Sequence, residues 1–331
     1  MSVHYDAALT RRALLGAAAL AAAGARFRRS VTARQRRATR TPTGPSDPPG
    51  PPQAGGTLVV GSTVEPVSLH PWDPGSAAGA DVLEGVVEGL LRYNAAGRLQ
   101  PALAEGFTIS DDDLSYTFRL RADVRYHNGE PFAGTDLIAA WQARLDGDWT
   151  GPATAGWDRI AAMDLPDDRT LIVTTTEPYA PLLSTVAISP ILPASAFADG
   201  VAAFRERFAR EPIGSGPFRV AAWEPGNRIT LERFADYWNG PARLERIEHR
   251  LLPDLDALLT GLATGEIDLA GGAGGVPAAE VDRALEIAGL DVWEHATPNW
   301  QHLDLKQVGF LRERAVRQAL DFATPRQRIV D

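Results

Sequence analysis

The chain has 331 residues, of which 44% are hydrophobic and 23% charged, so it is long enough for about two globular domains with sizeable cores. Its net charge of −9 is uneven, because residues 1–53 hold nine Arg and two Asp, a charge of +7, which leaves −16 for the remainder. An acidic body argues against nucleic acid as a partner. The absence of cysteine excludes disulfides, thiolate metal sites, a cysteine nucleophile and a lipid-modified N-terminal cysteine.

The N-terminal segment has the layout of a secretory signal. Arg11 and Arg12 precede a weakly apolar run over residues 13–24 that ends in small residues. This run is shorter than the ~20 apolar residues that cross a bilayer. The paired arginines are typical of twin-arginine export, although Leu14 stands where Phe is usual. We therefore predict a signal peptide over residues 1–25 and an exported protein, in the periplasm or at the outer face of the cytoplasmic membrane. The alternative is a cytosolic protein with an amphipathic start.

A basic and then proline-rich segment follows over residues 26–55. It contains almost no large apolar side chain, so it cannot bury enough surface to offset the entropy lost on ordering. We predict that it is a disordered linker and that the folded body begins at Gly56.

The first half of the body contains alternating helix and strand patterns. The predicted elements are a strand over 57–61, a helix over 82–92, a hairpin with strands over 107–110 and 116–120, and a helix from about Thr135. The helix over 82–92 depends on apolar residues spaced by four. Three aspartates at 111–113 form the hairpin turn, since they lack the ligand spacing of a calcium loop. The helix from Thr135 has an apolar stripe that consists of Leu137, Ile138, Trp141 and Leu145.

The second half of the body contains further strand and helix patterns. The predicted elements are a strand over 169–175, a hairpin with strands over 218–222 and 229–234, a strand over 247–251, a helix from Asp254 to Gly265, a strand over 300–305 and a helix over 312–323. Glu224-Pro225-Gly226-Asn227 is strong turn chemistry for the hairpin. Asp254 is a suitable helix N-cap, and Gly265 is a suitable C-terminal stop.

No catalytic, cofactor or metal motif stands out. The six histidines lack the spacing of a zinc site. Gly214-Ser215-Gly216 suggests a nucleophile, but Pro212 departs from the Gly-x-Ser-x-Gly elbow and a structural turn explains the segment better. Glycines at 271, 272, 274 and 275 supply backbone freedom for a hinge or an amide-lined contact. A phosphate loop would end in Lys-Ser/Thr, where Val276-Pro277 stands here. We therefore expect no catalytic residue, no metal and no cofactor.

Several separated segments, in order, resemble one protein family. They are Glu65 to Trp72, Tyr126 to Phe132, Pro212 to Gly240, Gly265 to Ala270 and the helix from Arg312. Together they resemble the extracytoplasmic solute-binding proteins of family 5, which serve peptide and nickel ABC importers. The resemblance implies an α/β, two-lobed fold of the periplasmic-binding-protein type II with an inserted subdomain. Family members are longer, so it also implies a C-terminally truncated chain with an incomplete lobe II.

The implied domain division places lobe I over residues 56–270, made of 56–80 and 181–270. The inserted subdomain covers residues 81–180, and lobe II begins over 271–331. The implied function is capture of peptides, or of a similar small polar solute such as a nickel chelate, in the cleft between the lobes by hinge closure.

The resemblance also implies the partners. The ligand would be a small molecule or peptide, and the bound monomer would be presented to ABC permease subunits, with only peripheral membrane association. A sensory or regulatory solute-binding module without transport is the main alternative. An exported carboxylate hydrolase is a third hypothesis, for which no paired acid and base motif is found.

The site residues follow from the same resemblance. Lobe I would contribute Glu65, Pro66 and Val67, with Trp72 nearby; the crossover would contribute Gly272 and Gly274; lobe II would contribute Asn299, Trp300 and His302. For Trp72 and Trp300 core packing is an equal alternative. For Glu65 the alternative is a solvated loop carboxylate.

Overall fold

The computed structural model describes residues 54–73, 75–94, 96–147, 149, 156–292 and 312–323. Those up to residue 292 belong to one compact unit, and residues 312–323 belong to another. The predicted signal peptide, nearly all of the predicted linker and the predicted strand over 300–305 lie outside the described residues.

The described strands and helices follow the predicted alternation. The strands are β1 (Thr57–Ser62), β2 (Leu91–Tyr93), β3 (Leu99–Pro101), β4 (Ala104–Ile109), β5 (Ser115–Leu120), β6 (Ile160–Asp167), β7 (Thr170–Thr175), β8 (Phe218–Glu224), β9 (Arg228–Arg233), β10 (Arg246–Leu251) and β11 (Leu269–Ala270). The α-helices are α1 (Ala77–Leu83), α2 (Gly134–Asp146), α3 (Val201–Phe208), α4 (Leu255–Thr264), α5 (Val281–Leu285) and α6 (Arg314–Ala323). None of the helices in the described part of the chain is long and apolar enough to cross a membrane.

A five-stranded mixed sheet has the order β11-β1-β10-β9-β8. Strand β1 runs parallel to β10 and β11, whereas β9 is antiparallel to β10 and β8. The predicted hairpin is confirmed as β8 and β9. Its turn contains Gly226 at φ +74°, a conformation that glycine adopts without steric cost.

Helix α1 covers one face of this sheet. The apolar residues that pack together here are Leu69, Val82, Leu83, Val86, Phe218, Ile229 and Leu231. Helix α1 runs across the predicted boundary of the inserted subdomain at 80/81. The division into lobe I and inserted subdomain remains a prediction.

Helix α4 packs against the opposite face, at Gly61. A Cβ atom on Gly61 would lie 2.5 Å from Leu258 Cδ1, so the close approach of helix and strand requires glycine. The predicted start and stop of this helix are confirmed. Asp254 Oδ1 accepts a hydrogen bond from the Ala257 N–H at 2.8 Å, and Gly265 ends the helix at φ +75°.

A second, four-stranded sheet has the order β4-β5-β7-β6. The predicted hairpin is confirmed as β4 and β5, and the turn of aspartates contains Asp113 at φ 59°. Its core includes Tyr116, Phe118, Leu120, Leu171 and Val173, all at most 2% exposed.

The predicted helix over 82–92 is wrong in its position. Helix α1 ends at Leu83, and residues 91–93 form strand β2. The physical reason is a backbone contact, because a Cβ atom on Gly89 would lie 2.6 Å from the carbonyl carbon of Ile188. The Leu91 N–H then donates to the Ala187 carbonyl at 2.8 Å. This segment therefore forms backbone hydrogen bonds with a distant part of the chain instead of the internal hydrogen bonds of a helix.

The predicted helix from Thr135 is confirmed as α2, but its buried stripe differs at one end. Leu145 is 53% exposed, whereas Arg144 is 3% exposed. The guanidinium of Arg144 lies 3.5 Å from the centre of the Trp72 ring and 4.0 Å from that of Trp157. Cation–π contacts of this kind offset part of the cost of burying a charge.

An aromatic cluster holds the loop that follows β1. The His70 ring lies 4.7 Å from the Phe204 ring and 5.2 Å from the Trp149 ring. His70 Nδ1 accepts the backbone N–H groups of Trp72 and Asp73, each at 3.2 Å. Burial is the main cause that lowers the pKa of His70 to about 4, so the imidazole is neutral at neutral pH.

We predict that acid destabilises the protein through its buried histidines. Burial also lowers the pKa of His127 to about 4, whereas an unfolded histidine titrates near 6.5. The unfolded chain then binds more protons, so the stabilisation is complete above about pH 6.5 and is lost as the pH falls toward 4. We expect a loss of about 2 kcal/mol per histidine between pH 7.5 and 5.

Urea unfolding of the wild type, His70→Gln and His127→Gln at these two pH values measures this loss. Each variant should lose about 2 kcal/mol less than the wild type over this range. An identical loss in all three proteins would contradict the prediction, whatever the stability of the variants at pH 7.5.

Candidate functional site

A cavity of about 250 Å³ opens where β1 ends, between the five-stranded sheet and α1. The carboxyl ends of the parallel strands β1, β10 and β11 meet at the same edge, where open α/β sheets bind their ligands. Apolar residues of the sheet and of α1 form much of its lining: Val60, Ala78, Val82, Ile229 and Leu251. The charged lining residues are Glu65, Asp81, Glu84, Arg228 and Arg250.

Glu65 lines this cavity and is fixed in place by the β8–β9 hairpin. Its Oε1 atom accepts the backbone N–H of Gly226 at 2.9 Å and the indole N–H of Trp223 at 3.3 Å. Glu65 is half-buried, so it is not a freely solvated carboxylate. Pro66, the next residue, also lines the cavity.

The glycine-rich crossover closes another side of the cavity. Gly272 lines it and adopts φ +65°, and a Cβ atom there would lie 2.1 Å from Asp81 Oδ2. The same oxygen accepts the Ala273 N–H at 2.8 Å. Gly274 lies beneath Ser62, where a Cβ atom would be 1.8 Å from Ser62 Oγ. Both positions therefore require glycine for close packing.

Several lining residues escaped the sequence analysis, among them Asp81 and His249. Asp81 projects from α1, and His249 from β10, where it lies opposite Val60 of β1. Burial lowers the pKa of His249, and the Asp81 carboxylate opposes this shift. The imidazole is therefore neutral at neutral pH. No local sequence signal joins these residues, which meet only because α1 packs on the sheet.

Three predicted site residues do not line the cavity, and one of them is Gly274, which packs against Ser62. Val67 is 72% exposed. Trp72 is 5% exposed and belongs to the aromatic cluster, where its indole N–H donates to the Pro190 carbonyl at 3.1 Å. The packing alternative therefore accounts for Trp72. The predicted contacts Asn299, Trp300 and His302 lie outside the described residues.

Ser215 has a structural role. Its side chain is fully buried, and its hydroxyl donates to Glu88 Oε2 at 3.3 Å. The Glu88 carboxylate also accepts Tyr237 Oη–H and the Trp238 indole N–H, each at 2.8 Å. Burial raises the pKa of Glu88. Ser215 is thus part of a hydrogen-bonded turn, as the sequence predicted, and is not a nucleophile.

The described residues contain no group of three or more His, Asp or Glu side chains placed to hold a metal ion.

Comparisons with known proteins agree with this architecture. A family model described as bacterial extracellular solute-binding proteins, family 5 middle, matches residues 98–331. The oligopeptide-binding protein AppA of Bacillus subtilis (strain 168) is 26% identical over 288 residues, which cover 85% of this chain and 52% of the relative. The dipeptide-binding protein DppE of the same organism is 26% identical over 299 residues, with 82% and 52% covered. The chain thus spans about half the length of the curated relatives it matches.

Solved structures show the same fold. The B. subtilis oligopeptide-binding protein AppA in complex with a nonapeptide superposes with a TM-score of 0.64 at 25% identity, covering 72% of this chain and 47% of that one. NikZ from Campylobacter jejuni in complex with Ni(L-His) has a TM-score of 0.72 at 23% identity, covering 83% and 54%. The expected α/β fold of the periplasmic-binding-protein type is confirmed. The chain belongs to the bacterial extracellular solute-binding proteins of family 5.

Proposed function

We propose that this protein is the extracytoplasmic solute-capturing component of an ABC importer. Its ligand is a peptide or a similarly sized polar solute, bound without chemical change. The observation that carries this proposal is the cavity at the carboxyl ends of β1, β10 and β11, in a fold whose ligands bind at such edges. The peptide-binding relatives support the choice of ligand class.

The cavity provides one wall of the proposed site. Glu65 and Pro66 contribute from the loop after β1, and Gly272 contributes from the crossover. A volume of about 250 Å³ is below the ~300–1,000 Å³ of whole ligand pockets, so this wall receives one end or one side chain of the solute. The second wall would come from lobe II, with Asn299, Trp300 and His302, and hinge closure would join the two.

Export and delivery complete the proposal. The signal peptide over residues 1–25 would direct the protein across the cytoplasmic membrane, and permease subunits would receive the loaded monomer. Membership in a family of extracellular solute-binding proteins supports export. Neither an enzymatic step nor a cofactor is part of the proposal.

Calorimetric titration with dipeptides, oligopeptides of up to nine residues and nickel–histidine complexes tests this function. We expect at least one solute to bind with a roughly micromolar dissociation constant, about −8 kcal/mol. Gly272→Ala should weaken that binding at least about tenfold, since its Cβ would displace Asp81 at the cavity wall.

Gly240→Ala is the matched control. Gly240 also has a positive φ, +82°, but a Cβ atom there meets nothing within 4 Å, so the variant should bind as the wild type does. Absence of binding to every solute would overturn the proposed function. Equal binding by the wild type and Gly272→Ala would exclude this cavity as the site.

A further inference from the structure

The loop over residues 63–69, which follows β1, forms part of the cavity wall. Val64, Glu65 and Pro66 line the cavity, although no residue of this loop belongs to a helix or a strand. Such a segment keeps one conformation only where other elements hold it. The contacts that hold the loop therefore decide how well this wall is formed before a solute arrives.

The β8–β9 hairpin holds the loop at Glu65. Glu65 Oε1 accepts the backbone N–H of Gly226 at 2.9 Å and the indole N–H of Trp223 at 3.3 Å. The first donor is fixed by the backbone of the turn, whereas the second depends on the orientation of a side chain. The orientation of the indole is thus the adjustable part of this attachment.

Arg210 lies over the same indole. Its guanidinium carbon is 4.0 Å from the centre of the Trp223 ring, and tryptophan is the side chain that forms the strongest cation–π contacts. Among the described residues, the Arg210 side chain has no hydrogen bond or ion pair that would draw it elsewhere. The contact with the ring therefore favours one orientation of the indole.

The segment that carries Arg210 is itself bonded to the loop. Arg210 follows Ala209, whose carbonyl accepts the N–H of Leu69 at 2.9 Å. Leu69 is fully buried and lies four residues after Glu65. The contacts that start at Glu65 thus return to the same loop at Leu69, so that the loop is held at two points.

Trp223 lines the cavity, but Arg210 does not. Arg210 borders a second cavity, of about 450 Å³, which Trp223 also lines. An effect of Arg210 on a solute in the first cavity is therefore indirect and passes through the indole.

We propose that Trp223 is a positioning residue for solute binding: its indole N–H, oriented by Arg210, fixes the loop over residues 63–69 as a wall of the cavity. This inference rests on the proposed function and adds to it two residues that act through Glu65. A wall that is already ordered loses less conformational entropy when the solute binds, which increases affinity.

Calorimetry with the tightest solute of the titration measures the effect. Trp223→Phe keeps an aromatic ring but removes the N–H, so binding should weaken at least about threefold. Arg210→Met keeps an apolar stem without the charge and should weaken binding at least about twofold, whereas Arg210→Lys should retain most of the affinity. Arg205→Met is the matched control. Its guanidinium carbon lies 4.2 Å from the centre of the Trp149 ring, and neither residue lines the cavity, so this variant should bind as the wild type does.

The Glu65→Ala background separates positioning from a direct contact of the indole with the solute. The acceptor of the indole N–H is absent there, so Trp223→Phe and Arg210→Met should cause no further loss of affinity. The indole N–H resonance of Trp223, identified by its loss in Trp223→Phe, gives a second measurement that needs no solute. It should shift in Glu65→Ala and, by a smaller amount, in Arg210→Met.

Wild-type affinity in Trp223→Phe, or an equal loss in the Glu65→Ala background, would overturn the inference while the proposed function stands. A Trp223 resonance that stays in place in Glu65→Ala would also overturn it, and this resonance decides where Glu65→Ala binds too weakly to titrate. Absence of binding to every solute would overturn the proposed function and this inference with it.

Discussion

Replacing Gly214 by alanine is expected to lower the free energy of unfolding by about 3 kcal/mol or more. A Cβ atom on Gly214 would lie 2.0 Å from the Val86 carbonyl oxygen, and that oxygen accepts the Gly216 N–H at 3.0 Å. Gly214 also bonds to His127 through both its N–H and its carbonyl. The turn therefore cannot move away from Val86 without losing these bonds.

Thermal and urea unfolding of Gly214→Ala measure this cost, which corresponds to a melting temperature lowered by roughly 6–12 °C. Gly106→Ala is the control, because Gly106 has an ordinary φ and its Cβ would meet nothing within 4 Å. The control should change the stability by no more than about 0.5 kcal/mol. Similar melting temperatures for the two variants would contradict the predicted steric clash between a Cβ atom at position 214 and the Val86 carbonyl oxygen.

Replacing Glu88 by alanine is expected to cost about 3–5 kcal/mol. The side chain is 9% exposed and is the acceptor for the side chains of Ser215, Tyr237 and Trp238. Its removal leaves these donors without their acceptor in a buried place, and each unsatisfied donor costs ~1–3 kcal/mol.

Urea unfolding at pH 7 compares this variant with Glu105→Ala. Glu105 is an exposed carboxylate that pairs with Arg119 at 2.9 Å and Arg169 at 2.5 Å, so its loss should cost far less than the loss of Glu88. Glu88→Gln, which keeps one acceptor oxygen, should fall between the two. A cost for Glu88→Ala no larger than that of Glu105→Ala would contradict the buried role of this carboxylate.

Local sequence signals predicted the elements whose ends are fixed by turn or capping residues. The β8–β9 hairpin follows from its Pro-Gly-Asn turn, and α4 follows from the Asp254 cap and the Gly265 stop. These features act within a few residues, so the sequence around them is sufficient. The hairpin β4–β5 was predictable for the same reason.

Contacts between distant segments could not be predicted in this way. The four-residue apolar spacing in 82–92 indicated a helix, but the backbone of Gly89 contacts Ile188 instead. The burial of Arg144 likewise depends on the rings of Trp72 and Trp157. Residue type and spacing alone place an arginine at the surface, so the sequence assigned Leu145 to the stripe.

The candidate site was predictable only in part. The family resemblance located Glu65, Pro66 and Gly272, which the structure brings to one cavity. Asp81 and His249 were missed because the packing of α1 on the sheet brings together segments that are far apart in the chain. Nothing in the spacing of either residue indicates a shared site.

Amide hydrogen exchange, with and without the tightest solute from the titrations, tests most directly the claim that this cavity receives the solute. The account predicts slowed exchange upon binding at residues 62–66 and 271–272, which border the cavity. The edge strand β4 of the four-stranded sheet should exchange at the same rate in both samples. Slowed exchange confined to residues outside the cavity would contradict the account.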